Sequence, residues 1–136
     1  MSWFDGNRIG VDFSRGLLGR PHEGPDYVLA DVETCPFRNE SINSVLWLDV
    51  IEHLPSLKVI DEANRILSGR GVFLLSTAEK KYELVLNALE KLGLKLPEGP
   101  HIWRRHEEII RKMLDAGFAC TRWSKVPVSF YKGTKS

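Results

Sequence analysis

Four short runs along the chain are nearly continuous in apolar residues: RIGVDF (8–13), DYVLADV (26–32), SVLWLDV (44–50) and VFLLST (72–77). Runs of this kind predict strands covered on both faces, as in a parallel sheet, rather than half-exposed strands that alternate strictly. All four end in, or next to, an acidic or hydroxyl side chain, so each apolar run stops abruptly at a polar group.

Helical spacing takes over after the third run. In SLKVIDEANRIL (56–67), Leu57, Ile60, Ala63 and Leu67 form one apolar stripe, and Ser56 behind Pro55 is placed to cap the helix. Asp61 and Arg65 are spaced as an i,i+4 ion pair on its outer face. Ser68-Gly69-Arg70-Gly71 stops that helix and turns the chain into the fourth strand. A second amphipathic helix runs through Tyr82, Val85, Leu86, Leu89 and Leu92, with Gly93 just past its end. LKLPEGPHIW (94–103) is a loop, and RHEEIIRKMLDAG (105–117) is a third helix with the pairs Glu107–Arg111 and Glu108–Lys112 and a stop at Gly117. Earlier in the chain, Ser14 is placed to cap a helical turn that Gly16 and Gly19 weaken. In the tail, Val126, Val128 and Phe130 alternate, and Pro127, with no N–H to donate, belongs at a strand start or on an edge. The tail reads as a closing antiparallel hairpin that reverses near Ser124-Lys125. Strands interleaved with helices and closed by a hairpin make an α/β sheet with helices on its faces.

Composition narrows the class without naming a function. A chain of 136 residues, 43% hydrophobic and 27% charged, suits one domain over 1–136 with a real core. Nineteen Lys and Arg stand against 18 Asp and Glu, so total charge implies neither a polyanion nor a membrane surface as partner. Cys35 and Cys120 are far apart and in no metal-ligand spacing, so a disulfide scaffold is not expected and a reducing compartment fits. MSWFDGNRIG lacks the basic-then-apolar order of a signal peptide, and VFLL is too short to span a bilayer. A cytoplasmic protein is expected.

The order of the motifs carries more. GVDFS, YVLADVETCPF, SINSVLWLDVIEHLP, EANRILSGRGVFLLST and EEIIRKMLDAGF occur in the order and rough spacing of class I S-adenosylmethionine-dependent methyltransferases. The chain resembles that family from about Arg8 to Tyr131. Single pieces such as GVDFS are weak signals; the ordered set is specific. The resemblance implies a Rossmann-like α/β sheet, mostly parallel with a C-terminal antiparallel hairpin, and S-adenosylmethionine as cofactor. In open α/β sheets, ligands bind beyond the carboxyl ends of the strands.

By the same resemblance, Asp12 matches the acid that receives the ribose hydroxyls, a diol that suits two acceptor oxygens. Asp31 matches the acid that accepts from the adenine amino group, with the Val32 backbone at the ring edge and Phe13 packed against the base. Leu48, Asp49 and Val50 line the floor under the methionine part. His53 lies where the acceptor is expected and is the candidate general base. No metal is implied.

The chain also departs from the family pattern. The family's first strand and glycine-rich loop precede its GVDFS element, and here seven residues with one glycine precede Arg8. Asp12 and Asp31 lie 19 positions apart, the interval of the second and third strands, so GVDFS is not itself the first loop. The reading is therefore a truncated methyltransferase sheet without its central strand. Raw strand edges invite pairing. A homodimer or a hetero-partner that completes the sheet is expected, with SWFDGNR sharing that role or the flanking strands meeting directly.

Each of these residues also has a purely structural reading. Asp12 caps a turn, Asp31 is a loop acid, His53 satisfies local backbone groups, and Cys35 is a small apolar filler beside Pro36. His101, Trp103, Arg104, Arg105 and His106 form a basic, aromatic cluster suited to an anionic or aromatic acceptor or to RNA, against the plainer reading of an exposed helix start. Nucleic acid is not the expected partner. Two functions stay open: a methyltransferase acting on an unidentified small molecule, and a non-catalytic partner or scaffold subunit of the same fold.

Overall fold

Ile9, Val11, Tyr27 and Val28 supply the β-branched and aromatic side chains of two four-residue strands, β1 (Ile9–Asp12) and β2 (Asp26–Leu29), paired in parallel. Gly10 lies opposite Tyr27, and a Cβ on Gly10 would come within 2.6 Å of the tyrosine ring. The computed structural model describes residues 7–13, 26–94 and 101–136. The Ser14 turn, most of SWFDGNR and both loop prolines lie outside the described residues. The chain divides into two compact units, Met1–Phe37 and Arg38–Ser136.

The second unit is built on a four-stranded sheet in the order β3-β4-β6-β5. β3 (Ile42–Leu48) and β4 (Leu67–Ala78) are parallel, while β6 (Val128–Lys135) runs antiparallel to both β4 and β5 (Phe118–Lys125). The closing hairpin is present, with its reversal at Val126-Pro127, and Pro127 sits outside both strands of the ladder. β1 and β3 belong to different hydrogen-bonded sheets.

One face of this sheet carries Val45, Trp47, Phe73, Leu75, Phe118 and Tyr131, all buried. Trp47 meets Phe73 edge-on at 5.2 Å, and Phe73 lies 5.4 Å from Phe118. Such ring pairs add about 0.5–1.5 kcal/mol each beyond their burial. Helices α1 (Lys58–Ile66) and α3 (His106–Asp115) carry the matching apolar residues: Val59, Ile60, Ala63, Ile66, Ile109 and Met113 are all buried. The stripe read from the sequence holds, since Leu57, Ile60, Ala63 and Leu67 are all core residues. The cap differs from the expectation: Leu57 is the N-cap of α1 with no side-chain cap, and the Ser56 hydroxyl one residue earlier accepts the Lys58 N–H at 3.2 Å.

The other face corrects the expectation of strands covered on both sides. β3 alternates: Val45 and Trp47 point into the core, while Leu46 and Leu48 are 41% and 50% exposed. The nearly continuous apolar run hides this period because leucines occupy the outward positions as well. Helix α2 (Glu83–Lys91) differs in the same direction. It forms where the sequence places it and ends at Gly93 (φ +71°), yet it has no buried residue and Leu84 is 84% exposed.

Two local readings also change. Ser68–Gly71 is not a loop: β4 starts at Leu67, directly after α1, and these residues bulge out where the β3–β4 register shifts, with Arg70 at φ +63°. The ion pairs sort differently from the i,i+4 expectation. Arg65 binds Glu62 at 2.6 Å, Asp61 binds Lys112 of α3 at 2.6 Å, and Glu108 binds Arg104 at 3.2 Å. The end of α1 is held by backbone and side chain together. Ser41 N–H donates to the Ile66 carbonyl at 2.9 Å, and the Lys135 ammonium donates to the Asn64 and Leu67 carbonyls at 2.9 and 2.8 Å. Among the described residues, no helix is long and apolar enough to cross a membrane.

Close packing of α3 on the sheet passes through Gly133. A Cβ there would lie 2.8 Å from Met113 Cε and 2.9 Å from the Phe118 ring. The methionine end can swing away; the ring, held against Phe73, must move with its neighbours. Gly133→Ala is therefore expected to lower stability by about 1–3 kcal/mol. Urea unfolding checks this, and an unchanged midpoint would show the contact to be slack.

Candidate functional site

In the first unit, the ladder of β1 and β2 runs one residue past the strands, because the Ala30 N–H donates to the Asp12 carbonyl at 3.0 Å. Asp31 is the next residue. Asp12 and Asp31 therefore stand at the same carboxyl end of two neighbouring parallel strands. Asp31 folds into a tight turn: its Oδ1 accepts the Glu33 N–H at 2.8 Å, and its carbonyl accepts the Thr34 N–H at 3.0 Å. The Val32 carbonyl is 3.6 Å from Cys35 Sγ, and Cys35 is buried as the expected filler. Phe13, directly after Asp12, is 85% exposed.

In the second unit, β3 ends at Leu48, and Asp49 turns the chain with φ +55°, a region that Asp enters more readily than most residues. Ser76 of β4 holds that turn. Its Oγ accepts the Asp49 N–H at 3.1 Å and donates to Asp49 Oδ1 at 3.0 Å, and its carbonyl takes the same N–H at 3.2 Å. Val50 leads into a 3-10 turn, Ile51–His53. This turn sends Glu52 inward, 3% exposed, and His53 outward.

The segment from His101 to Arg104 is fastened to that turn. Ile102 N–H donates to the Glu52 carbonyl at 2.7 Å, and the Arg104 guanidinium donates to the Leu54 carbonyl at 3.0 Å. The His53 and His101 rings lie 5.1 Å apart, and His101 lies 5.6 Å from Trp103. Burial pushes the Glu52 carboxyl above its ordinary range; its own backbone N–H opposes this and the Asp49 charge adds to it. Glu52 Oε2 and Arg104 Nε have no hydrogen-bond partner among the described residues.

Farther along the same rim lies a polar network that sequence reasoning missed. Glu79, just past β4, is buried and accepts the Ser129 hydroxyl at 2.6 Å and the Lys81 ammonium at 2.6 Å. Arg122 donates to Ser129, Ser124 and His106 Nε2, each at 3.0 Å, and lies 3.7 Å from Glu79. His106 Nδ1 bonds the hydroxyl of fully buried Tyr131. A guanidinium has no acceptor, so this contact favours a neutral His106 that accepts at Nε2 and carries its proton on Nδ1. Burial, helped by the Arg122 charge, lowers the His106 pKa accordingly.

The profile of the family described as "Methyltransferase domain" matches residues 2–75 of this chain. The chain belongs to that family. An uncharacterised protein of Methanocaldococcus jannaschii is 32% identical over 76 residues, 56% of this chain and 34% of that protein, so the chain spans about a third of the curated relative it matches. A SAM-dependent methyltransferase of Thermotoga maritima, named as a possible histamine N-methyltransferase, is 20% identical with a TM-score of 0.74, over 95% of this chain and 73% of that one. A Haloferax volcanii methyltransferase in complex with its Trm112 activator is 14% identical with a TM-score of 0.73, over 95% of this chain and 72% of that one. These likenesses establish the Rossmann-like methyltransferase fold, parallel strands and closing hairpin included.

Within this methyltransferase fold, the candidate residues fall into two sets. Asp12, Phe13, Asp31 and Val32 gather at one strand end in the first unit, and Leu48, Asp49, Val50 and His53 gather at another in the second. Glu52 stands out in the sequence with Asp31, Asp49 and His53, but nothing in the sequence tells that its side chain turns inward. Ser76 and Glu79 look in sequence like the frayed end of a strand. Ser129 and Tyr131 do carry a signal: they share one face of a period-2 strand on which an apolar pair is the ordinary choice. Among the described residues, no group of three His, Cys, Asp or Glu is placed to hold a metal ion.

The Lys81 and Ser129 hydrogen bonds hold the Glu79 carboxyl down to about 2 against its burial. A depressed carboxylate stabilises the fold fully above the ordinary pKa of 4.5 and loses that stabilisation as pH falls toward about 2. Ser129→Ala is expected to cost about 1.5–3 kcal/mol, because a buried charged acceptor loses a donor. Acid unfolding should then begin at higher pH than in the parent chain. An identical acid transition would show that Lys81 alone holds Glu79.

Proposed function

We propose that this chain binds S-adenosylmethionine and supports methyl transfer to a small-molecule acceptor. The observation that best supports this is the pair Asp12 and Asp31 at the carboxyl end of adjacent parallel strands. The residues present fit a nucleoside. Asp12 serves the ribose hydroxyls, Asp31 and the Val32 backbone serve the adenine edge, and exposed Phe13 offers a ring face to the base. Leu48, Asp49 and Val50 serve the methionine part. The sulfonium supplies an already activated methyl group when bound, so the protein's work is to hold and orient. His53, exposed at the end of its turn, is the proposed general base for the acceptor. A cytoplasmic location belongs to this proposal, because the sequence carries only two cysteines, Cys35 and Cys120, far apart and too few for a disulfide scaffold.

A second reading, a partner or scaffold subunit, has its own observation. β3 is the edge strand of its sheet and presents Leu46 and Leu48 outward. The unpaired backbone of an edge strand, with exposed apolar side chains on the adjoining face, favours pairing with a second copy or with another chain.

Calorimetric titration with S-adenosylhomocysteine tests the first reading. Saturable binding is expected, weakened at least tenfold (about 1.4 kcal/mol) by Asp12→Ala. No heat at high ligand concentration would move the chain to the scaffold reading. Light scattering tests the second: a mass of twice 15.5 kDa is expected for the homodimer, and a clean monomer in isolation would count against it.

A further inference from the structure

Arg122 ties the start of α3 to the sheet through one ring nitrogen. Its Nη2 donates to His106 Nε2, to Ser124 Oγ on its own strand and to Ser129 Oγ on β6, each at 3.0 Å. The other ring nitrogen, Nδ1, bonds the Tyr131 hydroxyl on β6. A neutral imidazole has one donor and one acceptor, whereas an imidazolium has two donors. The Tyr131 contact therefore survives protonation of the ring, because Nδ1 donates in both states. The Arg122 contact does not survive: a guanidinium cannot accept, so a protonated Nε2 meets a second donor and a second positive charge. We propose that His106 is a pH-sensitive latch, in which protonation at Nε2 parts the first turn of α3 from Arg122 and the sheet.

The charged groups packed around the ring come from four elements. Arg122 of β5 and Lys81 of the 3-10 turn Lys80–Tyr82 oppose its protonation, while Glu79, just before that turn, and Glu107 of α3 favour it. Glu108, also on α3, is bound to Arg104. The Tyr131 phenol stays neutral near pH 7, since burial pushes it above its ordinary range. Burial of the imidazole outweighs the other influences and, with the Arg122 charge, lowers the His106 pKa from the ordinary 6.5. Glu79, held down to about 2, keeps its charge while His106 titrates. A histidine lowered in this way contributes its full stability above 6.5. That contribution is lost as pH falls through the folded-state value, because the unfolded chain binds the proton more readily.

The remaining bonds determine where the structure parts. Once released from His106, Arg122 keeps Ser124 and Ser129 and lies 3.7 Å from Glu79, all of them on the sheet or at its rim. The sheet therefore holds, and the break falls between it and α3. The rest of α3 stays anchored. Arg104, just before the helix, bonds the Leu54 carbonyl and Glu108, and Lys112 near its end binds Asp61 of α1. The first turn thus moves against fixed points on either side of it.

Amide hydrogen exchange of the full chain at about pH 7.5 and about pH 5, corrected for intrinsic rates, tests the latch. Protection of Ile109 and Ile110, near the start of α3, is expected to fall about tenfold at the lower pH, the scale of one hydrogen bond to a charged group, while β4 and β6 keep theirs. His106→Gln cannot become a cation and is expected to abolish the fall. No fall, an equal fall across the sheet, or the same fall in His106→Gln overturns the proposal. Should His106→Gln fail to fold, NMR titration of the parent chain decides. The His106 ring and the Arg122 side chain are expected to share one midpoint below 6.5, and an Arg122 signal that does not follow the ring overturns the latch.

Discussion

The second unit depends on how β3 is locked to β4 at its last residue. Leu48 pairs with Ser76, and the next residue, Asp49, takes a left-handed backbone conformation that is unfavourable for most side chains. Three hydrogen bonds from one serine offset that strain. They also fix where the chain leaves the sheet, and so which residue of the following turn faces inward. Glu52 goes into the protein and His53 goes out because the register is this one. A slip of one residue would exchange buried and exposed positions along β3 and leave Ser76 opposite a different group.

Charge is sorted along the same rim. The cations nearest the turn are tied down by carbonyls, by Glu108 and by the network around Glu79. That network has a structural task, joining the start of α3 to β4, β5 and β6 through side chains on the buried face of the sheet. Arg122 enters it as a pure donor, so it favours the neutral form of His106 with Nε2 accepting. The same separation explains why total charge, almost balanced over the chain, says little about the site.

The order of elements was legible because each rests on a strong local signal. The α1 stripe, the glycine stops at Gly93 and Gly117 and the alternating tail all correspond to observed features. Strand coverage was not legible. Leucine at 46 and 48 reads as core in any count of apolar residues, and only the pairing partner shows that it points outward. The Ser68–Gly71 stretch misled for a related reason. A bulge and a turn use the same residues, and the difference lies in whether the strand beside them continues. At the site, a resemblance marked Asp12, Asp31, Asp49 and His53, whereas Glu52, Ser76 and Glu79 matter through burial and partners that no spacing rule records.

The exposed face of the second sheet and the chemistry at its rim are not independent. Leu46 and Leu48 lie on the strand that delivers Asp49 and the Glu52 turn. Burying apolar surface contributes about 25 cal/mol per Å² removed from water, so any chain that covers this face stabilises β3 in its present register. Stabilising β3 holds the Asp49–Ser76 clamp closed, and with it the inward setting of Glu52. A partner on this edge would therefore strengthen the site without touching it, because it binds only the state in which the clamp is formed. On that argument the two proposed readings, enzyme and subunit, are compatible, because the edge strand is also the strand that leads into the Asp49 turn.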